Sequence, residues 1–165
     1  MRHLSNVCGI ATAAIALATV VPSAVAQEIT STYTCQNIGA APPEPLGDRD
    51  GHAISVSEVS CRVDSGPFAG GLLTGMNIWE WDKTNGVLVS SNGVIRKPGS
   101  TVVYQGIEGN MALTVADGKV TGVTGSGRNT IRLATGAAAS LAGKSSTWTA
   151  KSTGPGQFTM ESKMQ

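Results

Sequence analysis

The sequence lacks any run of like charges, and this absence argues against partners that are themselves highly charged. The chain holds 12 Lys and Arg against 11 Asp and Glu, and Arg2 lies in the leader segment described below. The remainder therefore carries eleven residues of each sign and no formal net charge. Proteins that bind nucleic acids or anionic membranes concentrate basic residues on one surface. We expect no nucleic acid, membrane surface or polyanion as the partner.

Histidine and cysteine are too few for a metal centre. Beyond the leader, His52 is the only histidine, and Cys35 and Cys61 are the only cysteines. Two cysteines in an exported chain indicate one disulfide, and the ring it closes is worth roughly 3–4 kcal/mol in the chain-entropy description. Once that bond forms, too few ligands remain for zinc. We predict a Cys35–Cys61 bridge and no metal.

The N-terminus predicts export. Residues 7–21 form an alanine-rich apolar run without charge, after a basic start at Arg2. Small residues at Ala24 and Ala26 stand where signal peptidase reads them, so we expect cleavage before Gln27. The run is too short to span a bilayer stably. The mature chain is then residues 27–165, a single domain without a transmembrane segment, in the periplasm or outside the cell.

Typical helix formers are also sparse, whereas glycine, with 21 residues, and the β-favouring threonine are frequent. Apolar and polar residues alternate with period two along most of the mature chain, which predicts half-buried strands. The expected strands are 28–35, 53–63, 72–81, 87–91, 94–97, 101–108, 111–116, 119–124, 129–135, 145–151 and 157–163. Some of these merge across bulges, leaving eight or nine. One helical turn is expected, at 137–142.

Short turns separate these strands and make neighbouring strands antiparallel. Turn signals stand at Asn85-Gly86, Asn92-Gly93, Pro98-Gly99, Asp117-Gly118 and Gly154-Pro155-Gly156. So many strands, each with one apolar face, form a sandwich or a closed barrel, and a barrel removes the exposed edges. We predict a closed antiparallel barrel of about eight strands. The one long irregular segment, 36–51, lies inside the disulfide ring and carries function or moves.

The segment "NIWEWDKTNG" combines tryptophans and carboxylates but does not place them on one face. Trp79 and Trp81 share one face of a strand, and Glu80 lies on the other. The indoles either fill the interior or line a cavity for an apolar or sugar-like ligand. We expect four aromatic residues to line the interior: Trp79, Trp81, Tyr104 and Trp148.

The titratable candidates for chemistry are Glu58, Glu80 and His52. No motif places a serine or a free cysteine beside His52. The "GDRDGH" segment around it lacks the spacing of a calcium loop, and Gly122, Gly125 and Gly127 lack the helix and lysine of a phosphate loop. We therefore expect no cofactor.

Residues 117–151 contain Thr135-Gly136, a small-residue turn and Gly143. This signature resembles the closing part of allene oxide cyclase-like barrels, over about a quarter of the mature chain. The resemblance implies an eight-stranded calycin-type barrel whose interior can hold a small apolar ligand. The catalytic groups of the cyclases have no matching motif here, and seven aromatic residues are few for a fatty-acid tunnel.

Three functions follow from this sequence. The first is non-enzymatic binding of a small apolar ligand or a protein partner. The second is an isomerase or cyclase that positions an apolar substrate in the barrel and uses Glu58, Glu80 or His52. The third is a structural accessory with a solid barrel. The ligand and the oligomeric state are left open.

Overall fold

The structure is a computed structural model, and it describes residues 28–39 and 42–164. The predicted leader, residues 1–26, lies outside the described residues. Nine strands and one short 3-10 segment make up the described chain. They are β1 (Ile29–Ile38), β2 (Glu44–Pro45), β3 (His52–Val63), β4 (Leu72–Asp82), β5 (Asn85–Lys97), β6 (Ser100–Ala116), β7 (Lys119–Gly136), η1 (Ala139–Leu141), β8 (Ser145–Gly154) and β9 (Gln157–Met164).

Eight of these strands form one closed antiparallel barrel. Each strand from β3 to β9 pairs with the next, β9 pairs with β1, and β1 returns to β3. The pairing of β1 with β3, which closes the barrel, is called the seam below. The two-residue β2 pairs with β3 next to this seam and is not one of the eight barrel strands. The predicted fold class, a closed antiparallel barrel of about eight strands, is confirmed.

The seam between β1 and β3 carries the disulfide. Cys35 and Cys61 are direct partners in this antiparallel pairing, and their Sγ atoms lie 2.11 Å apart. Both are buried. The predicted pairing is therefore confirmed, and the bond crosslinks the two strands that close the barrel.

Three of the predicted interruptions are absent, because pairs of expected strands join into β5, β6 and β7. Asn92-Gly93 lies inside β5, so the turn predicted there is wrong. The two-residue turn between β4 and β5 is Lys83-Thr84, and the predicted Asn85-Gly86 instead begins β5. Lys83 takes the positive φ of 54° that such a tight turn requires.

The remaining turn predictions are close to the structure. Asp117-Gly118 joins β6 to β7 with φ of 51° and 71°. The expected helical turn at 137–142 appears as η1. The irregular segment is shorter than expected, because β1 continues to Ile38 and β2 lies within it.

The interior contains two apolar clusters, one towards each end of the barrel. The larger cluster includes Tyr33, Tyr104 and the disulfide, and is covered by Phe68 and Leu141 from the connections at that end. The smaller cluster consists of Trp79, Trp81 and Trp148 with partly buried aliphatic neighbours. Among the described residues, no helix has the length and apolar character to cross a membrane.

Candidate functional site

The barrel encloses a cavity of about 410 Å³. Its wall includes side chains from both apolar clusters, so the cavity extends along much of the barrel. At the tryptophan end, the exposed residues Pro43, Val120 and Gln157 also line it, and the cavity reaches the surface there. This volume lies within the usual range of small-molecule sites, which is about 300–1,000 Å³.

Strand alternation places the four aromatic residues expected in the interior. Trp79, Trp81, Tyr104 and Trp148 are all buried and all line the cavity. Trp79 contacts both other indoles, with ring centroids 6.5 Å away in each case, at interplanar angles of 44° to Trp81 and 82° to Trp148. Such tilted and edge-to-face pairs are the preferred aromatic geometries. The three indoles, joined through Trp79, therefore form a connected part of the cavity wall.

Trp81 is fixed by a hydrogen bond inside the barrel. Its indole Nε1 donates to the Ser55 hydroxyl at 2.8 Å, and both residues are buried. Its ring lies on Gly86, where an added Cβ would come within 2.9 Å of the indole. The inward glycine leaves room for the ring that faces it across the β4–β5 hairpin.

Glycines on β6 and β7 accommodate Trp148 in the same way. A Cβ on Gly127 would lie 2.7 Å from Trp148 Cζ2, and one on Gly109 would lie 3.1 Å from it. Gly122, Gly125 and Gly127, whose spacing only superficially suggested a phosphate loop, all lie in the continuous strand β7. Gly125 and Gly127 lie under the indole, whereas Gly122 lies beyond it.

The tyrosines occupy the opposite end of the cavity. Burial, and then the neighbouring Tyr33, raise the pKa of Tyr104 to about 12. Burial also raises the pKa of Tyr33. Tyr104 lies against Gly93, where a Cβ would come within 2.5 Å of its ring. This contact explains why the Asn92-Gly93 pair lies within a strand: the glycine makes space for a side chain from the next strand.

The three titratable candidates from the sequence lie outside the cavity. His52, Glu58 and Glu80 alternate with the inward residues of β3 and β4, so they point to the outer wall. His52 and Glu80 meet there, with Nε2 2.8 Å from Oε1, while Glu58 lies farther along β3 beside Met76. The structure therefore brings two of the three together and separates all of them from the interior.

His52 is held on both ring nitrogens. Its Nδ1 contacts the Asp48 carboxylate and its Nε2 contacts Glu80, while the side chain is only 9% exposed. The hydrogen bonds to Asp48 and Glu80 raise the pKa of His52, and the same bond lowers the pKa of Asp48. Arg49 adds contacts of 3.2 Å to Asp48 and 3.8 Å to Glu80. This outer cluster ties the connection before β3 to β4 and has no nucleophile in its hydrogen bonds.

The charges of the lining distinguish the possible chemistries. Among the described residues, the lining contains no carboxylate and no imidazole, and Lys151, which is exposed, is its one charged residue. No group of three or more His, Cys, Asp or Glu in the described part of the chain is arranged to hold a metal ion. The cavity is thus walled by apolar, aromatic and neutral polar side chains.

The neutral polar residues of the interior, such as Ser91 and Asn129, were not predicted from the sequence. The signal that could have located such residues is the same period-two alternation that located the aromatic residues. Ser57, for example, is two residues from the inward Val59, and Asn77 is two from the inward Trp79. On strands interrupted in the prediction, such as β5 and β7, this alternation could not be followed across the assumed breaks.

No known protein family matches this chain, and no curated protein matches it in sequence.

Proposed function

We propose that the protein is an exported, non-enzymatic carrier or receptor that binds a small, largely apolar ligand inside the barrel. One observation carries this proposal: a cavity of about 410 Å³ lined by three tryptophans and lacking acidic and imidazole side chains among the described residues. Aromatic walls bind apolar and ring-shaped molecules through dispersion and loss of hydrated surface. Export follows from the leader-like N-terminus, and the disulfide is consistent with an oxidising compartment.

The other two functions have less support. A solid structural barrel would leave no interior volume, whereas this interior holds a sizeable cavity. An isomerase or cyclase of the proposed kind would need a titratable group beside the substrate, and His52, Glu58 and Glu80 point away from the cavity. We propose a relationship to the allene oxide cyclase-like barrels in fold only and not in activity, since a shared fold does not transfer chemistry.

The test fills the cavity and measures binding of a neutral apolar dye. Ser146 is buried and lines the cavity, while its neighbour Thr147 is exposed on the outer face. Ser146→Phe occupies the interior with a ring, and we expect it to weaken Nile red binding by about tenfold or more, because every 1.4 kcal/mol of lost contact is tenfold. Thr147→Phe is the matched control and should bind the dye as the wild type does.

Dye emission, titrated with folded protein, gives the affinities, and circular dichroism shows that each variant is folded. Equal binding by both variants would place the dye on the outer surface. Absence of binding by the wild type, to this dye and to a panel of lipids and aromatics in a thermal-shift assay, would overturn the proposed function.

A further inference from the structure

A belt of neutral polar side chains crosses the interior of the barrel. We define this polar belt as six cavity-lining residues: Ser57, Asn77, Ser91, Asn129, Ser146 and Ser162. The register makes several of them direct neighbours. Asn77 pairs with Ser57 on one side and Ser91 on the other, and Asn129 pairs with Ser146. Six of the eight barrel strands contribute one residue each.

On most of the strands that contribute to it, the polar belt lies between the two apolar clusters, which both contact Met160 on β9. Along β4, the inward positions run from Leu73 of the larger cluster through Asn77 to Trp79 of the smaller one. Along β7 and β8, Asn129 and Ser146 stand between Ile131 and Trp148 in the same order. A barrel that only needed a stable core would gain more by continuing apolar residues through its middle.

Two of the belt side chains, Ser91 and Ser146, are buried, the other four are partly buried, and all six line the cavity. Ser91 is 6% exposed and Ser146 is 9% exposed. The neighbouring Ser55 is occupied by Trp81, whereas within the part of the chain that the structure describes the belt side chains have no such partner. In the described chain, every fully buried side-chain nitrogen or oxygen atom has a hydrogen-bond partner. The unpaired polar atoms of the belt are therefore not fully buried, and because these residues line the cavity, the atoms face its open space.

We infer that the ligand is a neutral molecule with a ring-bearing apolar skeleton and at least one hydroxyl or carbonyl group that hydrogen-bonds to the polar belt. This inference rests on the proposed function and adds the chemical class of the ligand. A pure hydrocarbon of the same shape would strip water from the belt and return no hydrogen bond. Sites with buried polar groups discriminate strongly against ligands that leave those groups unpaired.

The same belt disfavours anionic amphiphiles. It contains no cation, and its amides and hydroxyls are neutral, so a carboxylate placed there would lose its hydration without a counter-charge. Lys151 is the one cation of the described lining, and it is exposed on β8, three residues beyond Trp148. The polar belt therefore disfavours two kinds of ligand, pure hydrocarbons and anions, at the same place in the cavity.

The experiment compares three probes of one skeleton by calorimetry: para-phenylphenol, biphenyl and biphenyl carboxylate at a pH where the acid is ionised. We expect the phenol to bind about tenfold more tightly than the hydrocarbon, the effect of one hydrogen bond made rather than lost. We expect the carboxylate to bind at least about tenfold more weakly than the phenol.

Two variants locate the effect. Asn129→Leu removes the amide at nearly constant size, and Ser91→Ala removes a hydroxyl should the first variant fold poorly. Each should reduce the preference for the phenol over biphenyl towards equality. Asn110→Leu is the matched control, because Asn110 is exposed on the outer face of β6, and it should keep the preference.

The outcomes separate the two proposals. Equal affinity for the phenol and the hydrocarbon, tightest binding of the carboxylate, or a preference unchanged in Asn129→Leu and Ser91→Ala would overturn the inference while leaving a binding cavity. Failure of all three probes, together with failure of Nile red, would overturn the proposed function and this inference with it.

Discussion

Trp148 illustrates how single residues set the shape of the cavity. Its ring is buried in the tryptophan cluster, in edge-to-face contact with Trp79. It lies close to the backbone of β6 and β7 because Gly109 and Gly127 present no side chain there. A glycine inside a strand weakens it slightly, and the aromatic ring that covers the glycine offsets this loss by burying apolar surface.

Adding a methyl group at Gly127 tests this packing. The new Cβ of Gly127→Ala would contact the Glu108 carbonyl and lie 2.7 Å from Trp148 and 2.8 Å from the Gly109 backbone. Since backbone cannot move aside easily, we expect a loss of about 1–3 kcal/mol in the free energy of unfolding, typical of overpacked interiors. Urea denaturation followed by tryptophan emission measures it.

Gly122→Ala is the control on the same strand. A Cβ there meets its nearest atoms at 3.6 Å, an ordinary contact distance. We expect its stability to stay near that of the wild type. If both substitutions have the same effect, the requirement for glycine under the indole is refuted.

At the scale of elements, the connection before β3 is fastened to β4 from outside the barrel. Asp48 in this connection and Glu80 on β4 both contact His52, and Arg49 reaches Glu80 and Asp82 as well. Pro43 from the same connection lines the open end of the cavity. The outer cluster therefore holds a segment that borders the entrance, which is a positioning role rather than a chemical one.

This arrangement predicts how stability depends on pH. The pKa of His52 is raised above its ordinary 6.5 by its bonds to Asp48 and Glu80, so the folded chain holds the proton more tightly than the unfolded chain. The stabilisation is therefore complete below the unfolded pKa of 6.5 and is lost as the pH rises through the folded value. We expect the free energy of unfolding to fall across that range, measured by urea denaturation at a series of pH values.

His52→Gln should remove this fall, because the amide cannot take up a proton. Glu58→Gln is the control, since Glu58 lies on the same face of β3 but apart from the cluster. A wild-type stability that is unchanged or increases through the range, or a fall that persists in His52→Gln, contradicts the assignment.

At the scale of the whole molecule, barrel closure depends on β1. This strand pairs with β9 along eight residue pairs and with β3 along six, and β2 pairs with two further residues of β3, Ala53 and Ile54. The disulfide is the one covalent link across that seam in the described chain. Closure also removes the unpaired strand edges that promote aggregation.

Removing the bridge should therefore destabilise the barrel as a whole. The bonded cysteines are 26 residues apart in sequence, for which the chain-entropy description gives about 3–4 kcal/mol. We expect the double variant Cys35→Ser with Cys61→Ser, and the reduced wild type, to lose about this much free energy of unfolding. Reductant should leave the stability of the double variant unchanged.

Mass spectrometry of the native protein with and without reductant checks the chemistry directly. A gain of two hydrogens on reduction is expected for one bridge. Two free thiols in the native protein, or equal stability of the oxidised and reduced forms, would contradict a bond that stabilises closure.

Much of the barrel follows from local pattern. Period-two alternation predicted the strands and the inward placement of Trp79 and Trp81, and the cysteine count predicted the bridge. The pattern failed at Asn92-Gly93 because a glycine next to asparagine is a common turn signal, whereas here tertiary contact with Tyr104 requires the glycine in a strand. The size of the cavity could not be predicted, since it depends on how eight strands stagger around the axis.

The sequence by itself determined an all-β chain, its disulfide pair and which faces of its strands are apolar, because alternation and cysteine number are local properties. Only the tertiary structure decided what those faces enclose. The pairing of β3, β4 and β5 brings Ser57, Asn77 and Ser91 side by side between two apolar clusters, and it joins His52 to Glu80 on the outer wall. These contacts join residues that are far apart in the sequence, and they depend on the register in which neighbouring strands pair.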